Sequence, residues 1–403
     1  MLSLDDALRL LLDTVQPFPA ERLPLDRCWK LTLAADVVSD VDSPPFDKAL
    51  MDGYAVRAAD VATGSAALTV IERITAGVVP TQTVTPGTAI QIMTGAPIPS
   101  GADAVVRVED TQDDGQSVRI AGQPVSAGQN VIRQGTAMKR GETVLTAGQT
   151  LSASRIAALA ELGQHTVPVR RRPRLAVLAT GDELVPVDVT PGPGQIRNSN
   201  ESMLVAQIRT ANAEPLPLGI ARDNREDLAA KIRQGLDADV LVLSGGVSAG
   251  KLDLVPSELA AAGVRQVFHK VDLKPGKPIW FGEFAAASGR RGYVFGLPGN
   301  PVSSLVCFEL FVRTAIRRMM GHEPARPMAT PARLVNGLHH RSDRPTFHPA
   351  DLQWTPAGLT ARLATWHGSS DLRATVEANG MVFLPTGERK YDAGDEVEAY
   401  SWE

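Results

Sequence analysis

Three features of this 403-residue sequence predict a multidomain α/β and β protein, with a doubly wound parallel sheet as its largest part and smaller β-domains beside it. First, from Arg174 onward the runs RLAVLAT, DVLVLSGG and GYVFGLPG are almost continuously apolar, as in strands covered on both faces. Second, helical stretches lie between and after them: SMLVAQIRTAN, NREDLAAKIRQGL and PVSSLVCFELFVRTAIRRMM. Strands and helices that alternate in this way build a parallel sheet. Third, between Val56 and about Ile132 short Val/Thr/Ile runs alternate with Gly and Pro, the texture of a small β-domain.

The chain opens on MLSLDDALRLLLDTV, where Ser3 caps an amphipathic helix and two acids precede the apolar stretch. No small-residue cleavage site follows, so this is not a signal peptide. Mixed sequence runs to about Pro45 before the β-domain. Next, SASRIAALAEL reads as a helix with Ser152 at its start and Gly163 just past its end. VRRRPR then reads as a solvated connector into the α/β region, because charge beside proline marks boundaries. After that region, MVFLPTG and DEVEAYSW belong to a further small β-domain.

A net charge of −4 and a pI near 6.0 give no general attraction to nucleic acid or an anionic membrane. No apolar run reaches the roughly 18 residues that span a bilayer. Cys28 and Cys307 stand far apart without metal or redox neighbours, as core residues of a reduced, cytoplasmic protein would. His339 and His340 are adjacent, converge poorly on one metal, and read as surface residues.

In DVLVLSGGVSAGKLD, Gly245, Gly250 and Lys251 fall on P-loop spacing, but Leu252 replaces the hydroxyl that would hold Mg²⁺. Pro256 would break a helix begun at the loop and fits better at the first position of PSELAAAG, which Gly263 closes. The dinucleotide fingerprint is missing as well, since Arg197 stands at its third glycine position. What remains is chemistry at strand ends. Glu183 and Asp253, on one edge of the sheet, are placed to bind a cation or take a proton, whereas Asp182 alone reads as a turn acid. Lys270, Lys274 and Lys277 surround a Pro-Gly turn as a positive patch suited to an oxyanion. GLPGNPVSS opens a helix whose first turn carries Ser303 and Ser304, and GQIRNSN supplies Arg197 with amide and hydroxyl donors.

With these segments assembled, the chain resembles the MoeA family of molybdopterin molybdenumtransferases. The resemblance rests on SPPFDKALMDGYAVR, IMTGAPIPSGADAVVRVE, ATGDEL, GQIRNSN, SGGVSAGKLD, LKPGKP and GLPGNPVSS, in the family's order and nearly end to end. It implies insertion of molybdate into adenylylated molybdopterin with release of AMP, assisted by Mg²⁺, in a cytoplasmic homodimer without nucleic-acid or membrane partners. It also implies four domains: a molybdopterin-binding α/β domain at 1–19 and 171–322, a linking domain at 20–43 and 139–170, a small β-domain at 44–138 and a C-terminal β-domain at 323–403. Carried over position by position, Asp52, Glu183 and Asp253 are catalytic acids, Glu183 and Asp253 also holding the metal. Thr180, Gly181, Asn198 and Ser199 are substrate contacts on two of the loops. Ser244, Gly245, Gly246 and Ser248 are contacts on the third, with Lys270, Lys274 and Lys277 on the lysine turn. Pro298, Gly299, Asn300 and Ser303 complete the set. Two positions depart from the family pattern: Ala137 and Asn198 stand where acids are common. Two other functions share these residues, a pterin-binding paralogue without catalysis and a nucleotide hydrolase on the same type of domain.

Overall fold

The computed structural model describes residues 1–246, 254–286 and 289–402. The chain divides into two compact units, one of Met1–Ala34, Gly148–Ala153 and Thr166–Glu403, the other of Ala35–Ala147 and Ser154–His165.

The first unit is built around a six-stranded sheet in the order Glu214–Ala221, Arg174–Thr180, Val240–Ser244, Arg291–Leu297, Trp280–Ala285, Arg265–His269. Its first four strands are parallel, and Trp280–Ala285 pairs antiparallel with both of its neighbours. The sheet is therefore mixed, not wholly parallel as its apolar runs predict. Trp280–Ala285 and Arg291–Leu297 follow one another too closely for a crossover helix, and a short connection returns the chain antiparallel. The strands ending at Thr180 and Ser244 are neighbours in the middle of the sheet, so Glu183 follows a central strand and not an edge one.

Strand periodicity explains how both faces are buried. Leu175, Val177, Val240 and Val242 pack with Leu11, Leu204, Ile208 and the helical residues 302–320 on one side. Their alternates Ala176, Leu178, Leu241 and Leu243 pack with Leu228, Ile232, Val255 and Leu259 on the other. The helices follow the sequence signals. Ser3 Oγ accepts from Asp6 N, Asn224 caps Arg225–Gly235, and Val255–Ala261 starts one residue ahead of Pro256. Cys28 and Cys307 are fully buried.

VRRRPR is not a solvated connector. Arg171 grips the buried Asp239 carboxylate with two bonds of 2.7 and 2.8 Å, Arg172 Nε donates to Asn212 Oδ1 at 2.9 Å, and Arg170 donates to the Phe18 carbonyl. The backbone N–H of Arg174 also donates to Asp239. Asp239 opens a central strand inside the fold, so its carboxylate draws the arginines inward.

The C-terminal region of this unit is a closed barrel of Thr330–Leu334, Gly358–Leu363, Thr346–Thr355, Gly380–Leu384 and Glu396–Ser401. Phe347 and Met381 from it enter the core on one face of the six-stranded sheet. A two-stranded antiparallel sheet of Leu338–Ser342 and Gly387–Tyr391 corrects the reading of the paired histidines. Neighbours on a strand face opposite ways: His339 is exposed, while His340 is buried with Nε2 3.1 Å from the Pro385 carbonyl.

The second unit holds a six-stranded sheet ordered Ala104–Arg107, Gly53–Val56, Thr88–Ile92, Ser65–Ile74, Ser117–Ala121, Thr111–Asp113. Tyr54 and Val56 face one of its cores and Ala55 the other. Gly53 admits no side chain, because a Cβ there would lie 1.9 Å from the Val106 carbonyl oxygen. Among the described residues no helix is long and apolar enough to cross a membrane.

Candidate functional site

In the six-stranded sheet the chain passes from Arg174–Thr180 outward to Glu214–Ala221 and then back across to Val240–Ser244. The carboxyl ends of the first and third of these strands therefore diverge at a topological switch point, where open α/β sheets bind ligands. A pocket of about 670 Å³ lies there. Three loops line it: Thr180, Gly181 and Glu183; Ser244, Gly245 and Gly246; Pro298, Gly299 and Asn300. Asn198 and Ser199 join them from the start of the Ser199–Thr210 helix.

Two glycines shape these loops, Gly245 by close approach to another loop and Gly181 by its backbone conformation. Gly245 has φ +95, and a Cβ on it would lie 2.7 Å from the Thr180 carbonyl oxygen. At Gly181, with φ +146, a Cβ would lie 2.4 Å from a Glu183 carboxylate oxygen. Asn200 ties the arrangement together, its Nδ2 donating to Ser244 Oγ and to the Gly299 carbonyl, both at 2.8 Å. The floor is buried at Thr180, Asn198 and Ser244, and Thr180 Oγ1 has no hydrogen-bond partner among the described residues. The rim is exposed at Glu183, Arg197, Asp223 and Asn300. Asp182 is the turn acid its sequence suggests, accepting from Asp223 N at 3.1 Å.

Other predicted residues lie elsewhere. Ser303 is buried and does not line the pocket. The lysines do not line it either. Bonds from Lys270 N to Ile279 O and from Val271 N to Lys277 O close the 270–279 loop that carries them. Lys274 lines a separate depression with Arg341 and Glu388, Lys277 is exposed, and only Pro278 of this segment reaches the pocket. Ser248 and Asp253 lie outside the described residues. Asp52 belongs to the second unit. Its Oδ1 accepts from both Thr94 N and Thr94 Oγ1 at 2.7 Å, and these bonds, the backbone one foremost, hold its carboxyl below the usual range.

Sequence reasoning missed the pocket's C-terminal contributors, Ser370 and Leu372. Asn300 Nδ2 donates to Ser369 Oγ at 2.8 Å, and Val302 N donates to the Ser369 carbonyl. No local pattern in HGSSDL announces this contact, which exists because the barrel packs against the sheet. Asn200, by contrast, stands inside the GQIRNSN segment and was legible as a donor.

Matches to three family models run in order along the chain: the MoeA N-terminal region (domain I and II) over residues 2–163, the probable molybdopterin binding domain over 176–318, and the MoeA C-terminal region (domain IV) over 331–402. The chain belongs to the MoeA family. Among its relatives, a molybdopterin molybdenumtransferase of Staphylococcus aureus is 35% identical over 98% of this chain and 94% of its own. That of Bacillus subtilis is 34% identical over 98% and 92%. A solved molybdopterin biosynthesis moeA protein from Pyrococcus horikoshii OT3 superposes over 100% of both chains, with a TM-score of 0.82 and 30% identity. The loops that meet at the pocket all lie inside the segment matching the molybdopterin binding domain, except for the barrel contribution.

Proposed function

We propose that the chain is a molybdopterin molybdenumtransferase of molybdenum cofactor biosynthesis, acting on adenylylated molybdopterin and molybdate and releasing AMP. The observation that carries this reading is the convergence of the 180–183, 244–246 and 298–300 loops on one pocket at the switch point. Gly181, Gly245 and Gly246 let backbone approach a phosphate-bearing ligand closely, while Ser244, Asn198 and Asn200 supply polar groups that orient it. The exposed Glu183 carboxylate at the rim is free of the apolar core and available to the reacting groups.

The donor set bears on Mg²⁺. Among the described residues no three His, Cys, Asp or Glu side chains cluster as an all-protein cage. Glu183 and Asp223 are the carboxylates lining the pocket, a set that suits Mg²⁺ held by one or two carboxylates together with ligand phosphates. We assign the ion to Glu183, with Asp253 as the second acid from the family motif; when bound it neutralises charge on the phosphates. We further propose a cytoplasmic homodimer in which Asp52 of one protomer serves the site of its partner.

The test is incubation with adenylylated molybdopterin, Mg²⁺ and molybdate. The transferase forms cofactor and AMP together, and Glu183→Gln lowers that turnover by orders of magnitude without moving the melting temperature. Tight binding without AMP would instead identify a non-catalytic paralogue, and AMP release independent of molybdate a hydrolase.

A further inference from the structure

A second pocket, of about 520 Å³, lies in the first unit among residues that have no place in the site above. One wall is a helical stripe. Glu309, Arg313 and Arg317 follow one another at intervals of four residues across the Phe308–Val312 turn and the Arg313–Met319 helix, and all three line the pocket. The one carboxylate in the stripe is already engaged: Arg313 Nε donates to Glu309 Oε2 at 2.5 Å and Arg313 Nη2 to Oε1 at 3.1 Å, while Gln207 Nε2 donates to Oε1 at 2.7 Å.

Arg317 is left with its charge uncompensated. Nη2 donates to the Pro324 carbonyl at 2.9 Å, Nε is buried without a hydrogen-bond partner, and the side chain enters no ion pair among the described residues. Burial and the like charge of Arg313 both act against it. His322 lines the same pocket, and burial together with the Arg317 charge holds it down at about 4, so it stays neutral. Lys30 and Arg326 add two more cations at the mouth, Arg326 meeting Asp5 only in an exposed pair at 3.3 Å. Among the described residues the lining thus has four permanent cations, Lys30, Arg313, Arg317 and Arg326, to one carboxylate, Glu309.

The rest of the lining includes apolar and aromatic groups, among them Trp402, whose carbonyl accepts from Arg313 Nη2 at 2.9 Å. Trp402 has a buried Nε1 that also has no hydrogen-bond partner among the described residues, and Tyr400 and Met381 line the pocket with it. A surplus of half-buried guanidinium charge, with Arg317 Nε unmet among the described residues, carries a desolvation cost that a bound anion lowers.

We propose that this pocket binds a small organic phosphate, the phosphoryl group meeting Arg317 and its neighbouring cations and the organic part lying against Trp402, Tyr400 and Met381. The charge surplus suits a dianion, and guanidinium groups match phosphate oxygens in geometry. The inference is independent of the transferase reading, because none of these residues lines the sheet-end pocket.

Titration calorimetry at low ionic strength, with phenyl phosphate and inorganic phosphate as the probes, tests it. Arg317→Gln is expected to weaken phenyl phosphate at least tenfold. The double variant Lys30→Gln, Arg326→Gln alters only the pocket mouth and is expected to weaken it severalfold, so the test stands even if Arg317→Gln does not fold. Asn200→Ala, in the other pocket, is expected to leave this binding in place. Wild-type affinity in the double variant, or loss of all binding in Asn200→Ala, overturns the proposal. Equal affinity for the two probes overturns the aromatic groups' part in it.

Discussion

Asn200 Nδ2 bonds to Ser244 Oγ at 2.8 Å and at the same distance to the Gly299 carbonyl, so one amide holds a helix start to the ends of two neighbouring strands. The pocket's width depends on that amide. Replacing it by alanine removes both donors and leaves Ser244, which is buried, without this bond.

For Asn200→Ala the expected outcome is about a tenfold loss of pterin-ligand affinity, from two hydrogen bonds worth roughly 1 kcal/mol each, part of which the loops recover by relaxing. The residue sits at the rim of the fold, and the melting temperature should move by only a few degrees. Equilibrium titration beside a thermal scan checks both; undiminished affinity would mean that the loops are held by other contacts.

Asn198 accepts from Glu201 N at 3.3 Å and donates from Nδ2 to Glu201 Oε2 at 3.1 Å. Burial pushes the Glu201 carboxyl up, and the Asn198 amide pulls it partly back. Asn198→Asp replaces that donor with a like charge. Stability should fall by about 1–2 kcal/mol at neutral pH. The repulsion requires both carboxylates to be ionised, so the deficit should shrink as pH is lowered through the carboxylate range. Melting curves of the two proteins at pH 7 and pH 5 measure the difference; a gap that widens in acid would contradict this account.

At Asp239, burial pushes the carboxyl up, but the Arg171 guanidinium, the Arg174 N–H and Arg290 together bring it below the usual range. A carboxyl lower in the folded than in the unfolded chain contributes stability above the unfolded value of about 3.9 and loses it as pH falls toward the folded value. Arg171→Ala should cost about 3 kcal/mol, since it leaves a buried charge with the Arg174 N–H and, as counter-charge, only the longer Arg290 contact at 3.4 Å. Asp239→Asn should also be less stable at pH 7, yet its stability should decline less steeply below about pH 4. Denaturant unfolding across that range decides it, and parallel slopes would count against the assignment.

The shared site has its own test. Asp52→Ala and Glu183→Ala, each inactive, are unfolded together and refolded in equal amounts. Roughly half the dimers are then mixed, and each mixed dimer holds one site with both acids and one with neither, so activity should return to about a quarter of wild type. No recovery despite demonstrated mixed dimers would place both acids in one protomer's pocket.

Local physics made much of this protein readable from its sequence. The helix cap at Ser3, the proline within one residue of its expected place in Val255–Ala261, and the doubly buried strands all act within a few residues, and the pattern announces each. The loops at Thr180, Ser244 and Pro298 were legible for the same reason, because glycine and polar residues directly after an apolar strand mark an open carboxyl end. The tertiary structure alone decided which groups share a space. It drew Arg171 onto Asp239 across 68 positions of sequence and carried Ser369 to Asn300 across 69. It turned His340 inward while His339 stayed out, and stacked Arg313 and Arg317 beside one spent carboxylate. Those outcomes depend on burial, since a charge or donor finds its partner only after packing has removed water from it, and packing joins residues without regard to their separation along the chain.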